Sequence, residues 1–141
     1  MTVLVEAACV YLETGDSARP VALFDEALEL VRELPDLGFA VYPLHTLAWL
    51  AWSFEREVDV EPLMTKKRAP SRWIPIAGAV LAGDFHRAAE QMADAGARAF
   101  EAFYRLQSGT EDDVRKALEF YRSVGATRYV REGEAKLAAT A

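Results

Sequence analysis

The sequence predicts an all-α fold, an array of antiparallel α-hairpin repeats with about nine helices, and three observations predict it. Apolar residues recur at steps of three and four through most of the chain, which is the period of a helix that buries one face. No segment keeps a two-residue alternation bounded by hairpin turns, so no sheet is expected. Gly15-Asp16 and Gly83-Asp84 stand 68 positions apart, each closing an apolar stretch and opening an Ala-rich one. That offset is twice 34, the length of a two-helix repeat unit, so a third, eroded member is expected between them.

The elements follow in order. Thr2 to Thr14 is expected to be the first helix, with Val5, Ala8, Cys9 and Leu12 on one face and Gly15 supplying the left-handed turn. It begins without a capping residue, which fits either a frayed terminus or a stack whose neighbours lie further upstream. From Pro20 to Leu34, Val21, Leu23, Phe24, Ala27, Leu28, Leu30 and Val31 form an apolar stripe opposite Asp25, Glu26, Glu29 and Arg32. Asp16 or Ser17 can cap this helix, Pro20 is harmless in its first turn, and Pro35 ends it. Gly38 to Phe54 is the most apolar stretch, and Pro43 requires its helix to start or kink there. A short helix from about Val58 to Lys66 is expected to pair with it, through a turn that has no glycine.

After the breaker Ala69-Pro70-Ser71, Trp73 to Leu81 opens another hairpin. Asp84 caps its second helix, which carries Phe85, Ala88, Ala89, Met92 and Ala93 inward and ends at Gly96. Ala97 to Leu106 gives a helix ended by Ser108-Gly109. Thr110-Glu111-Asp112-Asp113 is a near capping box that also sets acids at the positive end of the helix dipole, and Leu118, Tyr121 and Val124 carry that helix to Gly125. A last helix runs from about Thr127 to Ala139.

The 141 residues suit one domain, taken as 1–141, and a chain of that length buries roughly 70% of the surface it exposes when unfolded. Apolar residues are 52% and charged residues 27%, which excludes disorder. The net charge of -6 argues against nucleic acid or an anionic membrane as partner. One short basic cluster, Lys66-Lys67-Arg68 with Arg72, stands against that balance. Cys9 has no second cysteine to pair with and lies in an apolar run, so it is expected to be a small core residue in a reducing, cytoplasmic setting. No secretory leader and no membrane-spanning run is recognisable.

Gly15, Ala22, Phe24 and Ala27, and again Gly83, Ala88, Ala89 and Ala93, place small residues and an aromatic where two helices of a hairpin would cross. In this the chain resembles tetratricopeptide repeats, without their full Trp-Leu-Gly-Tyr signature. The string from Ala117 to Leu137, with Tyr121-Arg122-Ser123-Val124-Gly125-Ala126 at its centre, is similar to the last two helices of the helical-repeat tails of actinobacterial-type signalling ATPases. Those are adenylate-cyclase-like and LuxR-type regulators. Val80 to Glu90 resembles their preceding repeat and Trp49 to Leu63 the one before that, so the likeness covers roughly residues 40–141. It rests on helix-packing motifs and implies a regulatory or protein-interaction role. No Gly-rich phosphate loop ending in Lys-Ser/Thr is present, so ATPase and DNA-binding activities do not carry over, and the chain would be the tail alone.

Candidate chemistry is sparse. His86 and Glu90 stand one turn apart, but zinc needs three or four ligands, so a solvated pair is expected. Glu55, Glu57, Asp59 and Glu61 are scattered around a loop, and capping accounts for Asp112 and Asp113. No serine sits in a nucleophile elbow. Trp49 and Trp52 share a helix face, Trp73 opens the next hairpin, and His45 lies one turn before Trp49. Such a cluster is either core or an aromatic groove that holds a peptide, with Arg72 at its rim. The expected function is therefore non-catalytic binding of a protein or peptide partner, or self-association, through Trp49, Trp52, Trp73, His45 and Arg72, with no cofactor or metal. The alternative is a small-molecule sensor with an aromatic-lined pocket.

Overall fold

The computed structural model describes residues 1–16, 18–66 and 70–140. Among them it is all-helical, with nine α-helices and no strand. Ser17, the alternative cap, and Lys67, Arg68 and Ala69 of the basic cluster and breaker lie outside the described residues. The helices group into two compact units, Met1–Gly83 and Asp84–Ala141.

In the first unit α1 (Thr2–Glu13) packs on α2 (Arg19–Glu33). The N-cap of α2 is Ala18, and Asp16 serves the helix start from two residues ahead of it, its Oδ1 accepting from the amides of Ala18 and Arg19 at 3.0 and 3.1 Å. A 3-10 turn, Gly38–Val41, leads to α3 (Leu44–Ser53), which starts directly after Pro43. Leu44, His45, Thr46, Leu47, Ala48, Leu50 and Ala51 are all buried, so α3 is enclosed on nearly every side, as a helix apolar all round must be.

The pairing of α3 differs from the hairpin scheme. Its main partner is α5 (Trp73–Leu81). The segment between them forms only one α-turn, α4 (Glu57–Val60), and a 3-10 turn, Glu61–Thr65. Pro62 lies in that 3-10 turn and has no amide to donate, so the α-helix expected over Val58–Lys66 cannot continue through it. The eroded middle turn expected near Glu57, without a glycine, is present at Phe54–Glu55, between α3 and α4. The uniformly apolar Leu44–Ser53 run contains no breaker, so it propagates as one helix.

The α3–α4 turn has a left-handed residue after all, and it is Glu55, at φ 57°. The Glu55 amide donates to Trp52 O at 3.2 Å and the Arg56 amide to Ala51 O at 2.8 Å. The same pair of bonds closes α1 around Gly15, where Gly15 donates to Leu12 O and Asp16 to Tyr11 O. This is the Schellman closure with glutamate in the place that glycine usually takes.

The second unit is more regular. It runs α6 (Phe85–Asp94), α7 (Arg98–Ser108), α8 (Glu111–Ser123) and α9 (Thr127–Thr140), each packed on the next. Asp84 Oδ1 accepts from the Arg87 amide at 3.0 Å, and Thr110 Oγ1 from the Asp113 amide at 3.4 Å. The outer core consists of Ala102, Leu106, Val114, Ala117, Leu118 and Tyr121, against which Tyr129, Val130 and Leu137 of α9 pack. Ala93 and Val124, expected inside, are exposed. No helix among the described residues is long and apolar enough to cross a membrane.

Candidate functional site

The aromatic residues singled out in the sequence lie in the first unit and divide between core and surface. His45 is 1% exposed. The α3–α5 packing stacks its ring on Trp73, centroids 5.9 Å apart and planes 28° from parallel. Tyr42, at the end of the 3-10 turn, stands edge-on to both, 4.9 Å from Trp73 and 6.0 Å from His45. Edge-to-face and offset-stacked contacts of this kind suit the aromatic quadrupole. Burial pushes the His45 imidazole down to about 4, so it is neutral near pH 7.

Trp49 is half-buried on α3. Trp52, one turn on, is 39% exposed, and its indole Nε1 lies 3.0 Å from where a Cβ on Gly83 would stand. It covers the turn that ends α5. Arg72 is exposed immediately before α5. His45, Trp73 and the unforeseen Tyr42 thus form one cluster, whereas Trp52 sits over the Gly83 turn.

Sequence reasoning missed Phe39. It is fully exposed on the Gly38–Val41 turn, three residues before Tyr42, itself 42% exposed. Val3 and Val10 are also solvent-facing on α1, Leu30 on α2 and Leu34 just after it. Among the described residues, the second unit exposes only Val124 as a large apolar side chain. The signal for Phe39 was available: it follows Gly38 in a stretch flanked by Pro35 and Pro43, too short for a helix that could turn the ring inward.

Within the acidic run Asp59 is tied down by two arginines, while Glu55 and Glu61 are exposed. Asp59 accepts from Arg56 Nε at 2.7 Å and from Arg32 Nη2 at 3.3 Å, and Arg56 also reaches Asp25 at 2.6 Å while lying 4.8 Å over the Phe24 ring. Lys66 Nζ donates to the last carbonyls of α2, Val31 O and Arg32 O, at 2.7 and 2.8 Å, so it caps a helix and is not a rim cation of a groove.

The second unit holds a polar cluster absent from the sequence reading. Arg105, 5% exposed, is the hub: Nε donates to Glu101 at 2.8 Å, Nη1 to Asp113 at 2.5 Å and Nη2 to Glu90 at 2.6 Å. Asp113 is fully buried and its second oxygen accepts from Ser108 Oγ at 2.6 Å and His86 Nδ1 at 2.8 Å. One expectation is corrected here and another extended. Asp113 is a buried acceptor and not chiefly a dipole-facing capping acid, and His86 and Glu90, solvent-exposed as expected, each also reach across to another helix. Burial alone would raise the Asp113 carboxyl, but bonds from Ser108, His86 and Arg105 overcome it and bring it down to about 2. The partner carboxylates likewise outweigh desolvation at Arg105 and raise its guanidinium.

Every donor on Arg105 that faces a carboxylate is spent, so the hub has the character of a structural tie. No group of three or more His, Cys, Asp or Glu residues that could hold a metal occurs among the described residues. Beside the hub, Arg98, Lys116 and Phe120 help line an open groove of about 360 Å³ whose walls carry both signs of charge, unlike the mostly apolar sites that enclose small ligands. Cys9 is half-buried, and burial together with Glu6 and Glu13 pushes its thiol up to about 12, opposite to what a reactive thiolate needs. No family model, no curated protein and no solved structure matches the chain.

Proposed function

We propose that the chain is a non-catalytic binding module that takes a protein or peptide partner, or a second copy of itself, on the first unit. The observation that carries this reading is the placement of exposed apolar side chains. Phe39 is wholly in solvent and Tyr42 nearly half so, the latter resting on the Trp73–His45 stack, while among the described residues of the second unit only Val124 is exposed as a large apolar side chain. Aromatic side chains held on a packed base are the usual anchors of protein interfaces. A sensor that encloses a small molecule is less well supported, because Trp73 and Tyr42 already occupy two sides of His45. The similarity of Ala117–Leu137 to signalling-ATPase tails favours a regulatory setting, with the partner a segment of such a regulator.

The test removes the exposed rings. Phe39→Ser, at a position wholly in solvent, is expected to leave thermal stability within a few degrees and to weaken self-association in sedimentation velocity or, for a monomer, capture of a defined partner; adding Tyr42→Ser, which also gives up contacts to Trp73 and His45, is expected to abolish it at a temperature where far-UV circular dichroism shows the chain still folded. Unchanged association with both rings removed would refute the site. A neighbouring coding sequence with a Gly-rich phosphate loop would support the regulatory setting.

A further inference from the structure

The exposed apolar side chains of the first unit do not end at Phe39. Leu30 and Leu34, at the close of α2, are 44% and 37% exposed, and Phe39 and Tyr42 follow on the 3-10 turn at a three-residue spacing that sets both on one side of it. Leu37 and Val41 between them are buried and hold the segment in place. An acidic border runs beside this apolar strip. Glu26, Glu29 and Glu33 succeed one another at three- and four-residue steps on the outer side of α2, and Asp36 continues the row, its Oδ1 lying 3.3 Å from where a Cβ on Gly38 would stand. All four are exposed, and none has an ion pair among the described residues. The cations beside α2 have other partners: Arg32 and Arg56 hold Asp59, Arg56 also holds Asp25, and Lys66 caps the α2 carbonyls. Such a row works against its own helix, since like charges at these steps repel and Glu33 stands at the negative end of the helix dipole.

We propose that this face docks a basic amphipathic helix of a partner protein, which sets its apolar side on Leu30, Leu34, Phe39 and Tyr42 and its Lys or Arg side chains on Glu29, Glu33 and Asp36. The proposal rests on the Phe39–Tyr42 reading above and names the chemistry of the partner. Charge complementarity makes the choice. Basic side chains relieve the repulsion along α2, and one of them can lie over the Phe39 ring, which is fully open to it. A helix suits the row because its own three- and four-residue steps match those of the carboxylates it lies along. A second copy would bring the same acids to a two-fold interface and add to the repulsion. Nucleic acid and anionic membranes carry the wrong charge.

The probes are a labelled helical peptide of leucine, alanine and lysine in amphipathic order and the same peptide with glutamate for every lysine, titrated by fluorescence anisotropy against the full chain. The lysine peptide should bind about tenfold more tightly than the glutamate peptide, or better, and should weaken as salt is raised. Glu29→Gln/Glu33→Gln/Asp36→Asn should weaken its binding about tenfold without lowering the thermal midpoint, and Phe39→Ser should weaken it to a similar degree. The same change of charge at exposed or half-buried positions of the second unit, Asp94→Asn/Glu119→Gln/Glu132→Gln, should alter binding by less than about twofold, because salt screens distant charges. No preference for the lysine peptide, an acid-row variant that binds as the wild type does, or an equal loss in both triple variants would overturn the proposal. In each of those cases a loss of binding or self-association in Phe39→Ser leaves the aromatic reading standing. Lysine-peptide binding that ignores Phe39→Ser overturns both. A lowered thermal midpoint in the acid-row variant would show that these carboxylates serve the fold and would overturn the proposal as well.

Discussion

The two units solve the same packing problem by different means. Met1–Gly83 is built around one enclosed helix, α3, and closes by apolar and aromatic contact, with the residue that ends α3 in a left-handed conformation glutamate seldom adopts. Asp84–Ala141 is a run of four helices with glycine turns, side-chain caps on α6 and α8, and a guanidinium shared among three acidic side chains from α6, α7 and α8. The regular unit has almost no large apolar side chain left over at its surface. The irregular one has several, and a surface that ordinary folding leaves apolar is where a partner can gain most by docking.

If the second unit depends on its ionic hub as the first depends on its apolar helix, removing the hub's cation should produce a large loss. Arg105→Met leaves Asp113 buried at 0% exposure without its main cation, and a broken buried pair costs about 3–5 kcal/mol. Far-UV circular dichroism and hydrogen exchange over 85–140 would register it. A loss below about 1 kcal/mol, typical of surface pairs, would show that water already serves the cluster and would erase the contrast between the units.

A smaller effect separates close helix packing from mere helicity. Gly133 lies in α9 where a Cβ would stand 2.8 Å from Leu118 Cδ2 and 2.9 Å from its Cγ. Leu118 is only 2% exposed, so it has little room to retreat. Gly133→Ala gains about 1 kcal/mol of helix propensity and incurs about 1–3 kcal/mol of overpacking, for a net loss of up to about 2 kcal/mol. A gain in thermal stability instead would mean that α9 rides loosely on α8.

The regular unit was also the legible one. Asp84, Gly96, Gly109, Thr110 and Gly125 announce helix ends by local chemistry, and the turns appear where those residues stand. The first unit was read less well because its decisive facts are nonlocal. That α3 would choose α5 depends on which of several apolar faces match, and no spacing rule encodes that choice. The 68-residue offset located two real turns, and the glycine-free turn expected near Glu57 stands at Phe54–Glu55, but α3 packs mainly on α5 and not on the segment that follows that turn. Arg105 and Asp113 stand eight residues apart on different helices, and in sequence an Arg and an Asp at that spacing look like any two surface charges. His45, left by the sequence between core and rim and named among the groove residues, is buried, as an imidazole set among Leu, Ala and Trp on a helix apolar all round must be.

Glu55 gives the finest test of how the units differ. Its φ of 57° is a conformation that costs an L side chain about 1–2 kcal/mol, while glycine adopts it at an entropic cost of about 0.5–1 kcal/mol. Glu55→Gly should therefore stabilise the first unit by about 0.5–1 kcal/mol, a midpoint shift visible in tryptophan emission. The side chain is exposed and Arg56, not Glu55, carries the ionic contacts to Asp25 and Asp59, so no interaction seen here is lost with it. A neutral or destabilising outcome would mean that the Glu55 carboxylate offsets its backbone strain, and the irregular turn would then be as well adapted to its place as the glycine turns of the second unit.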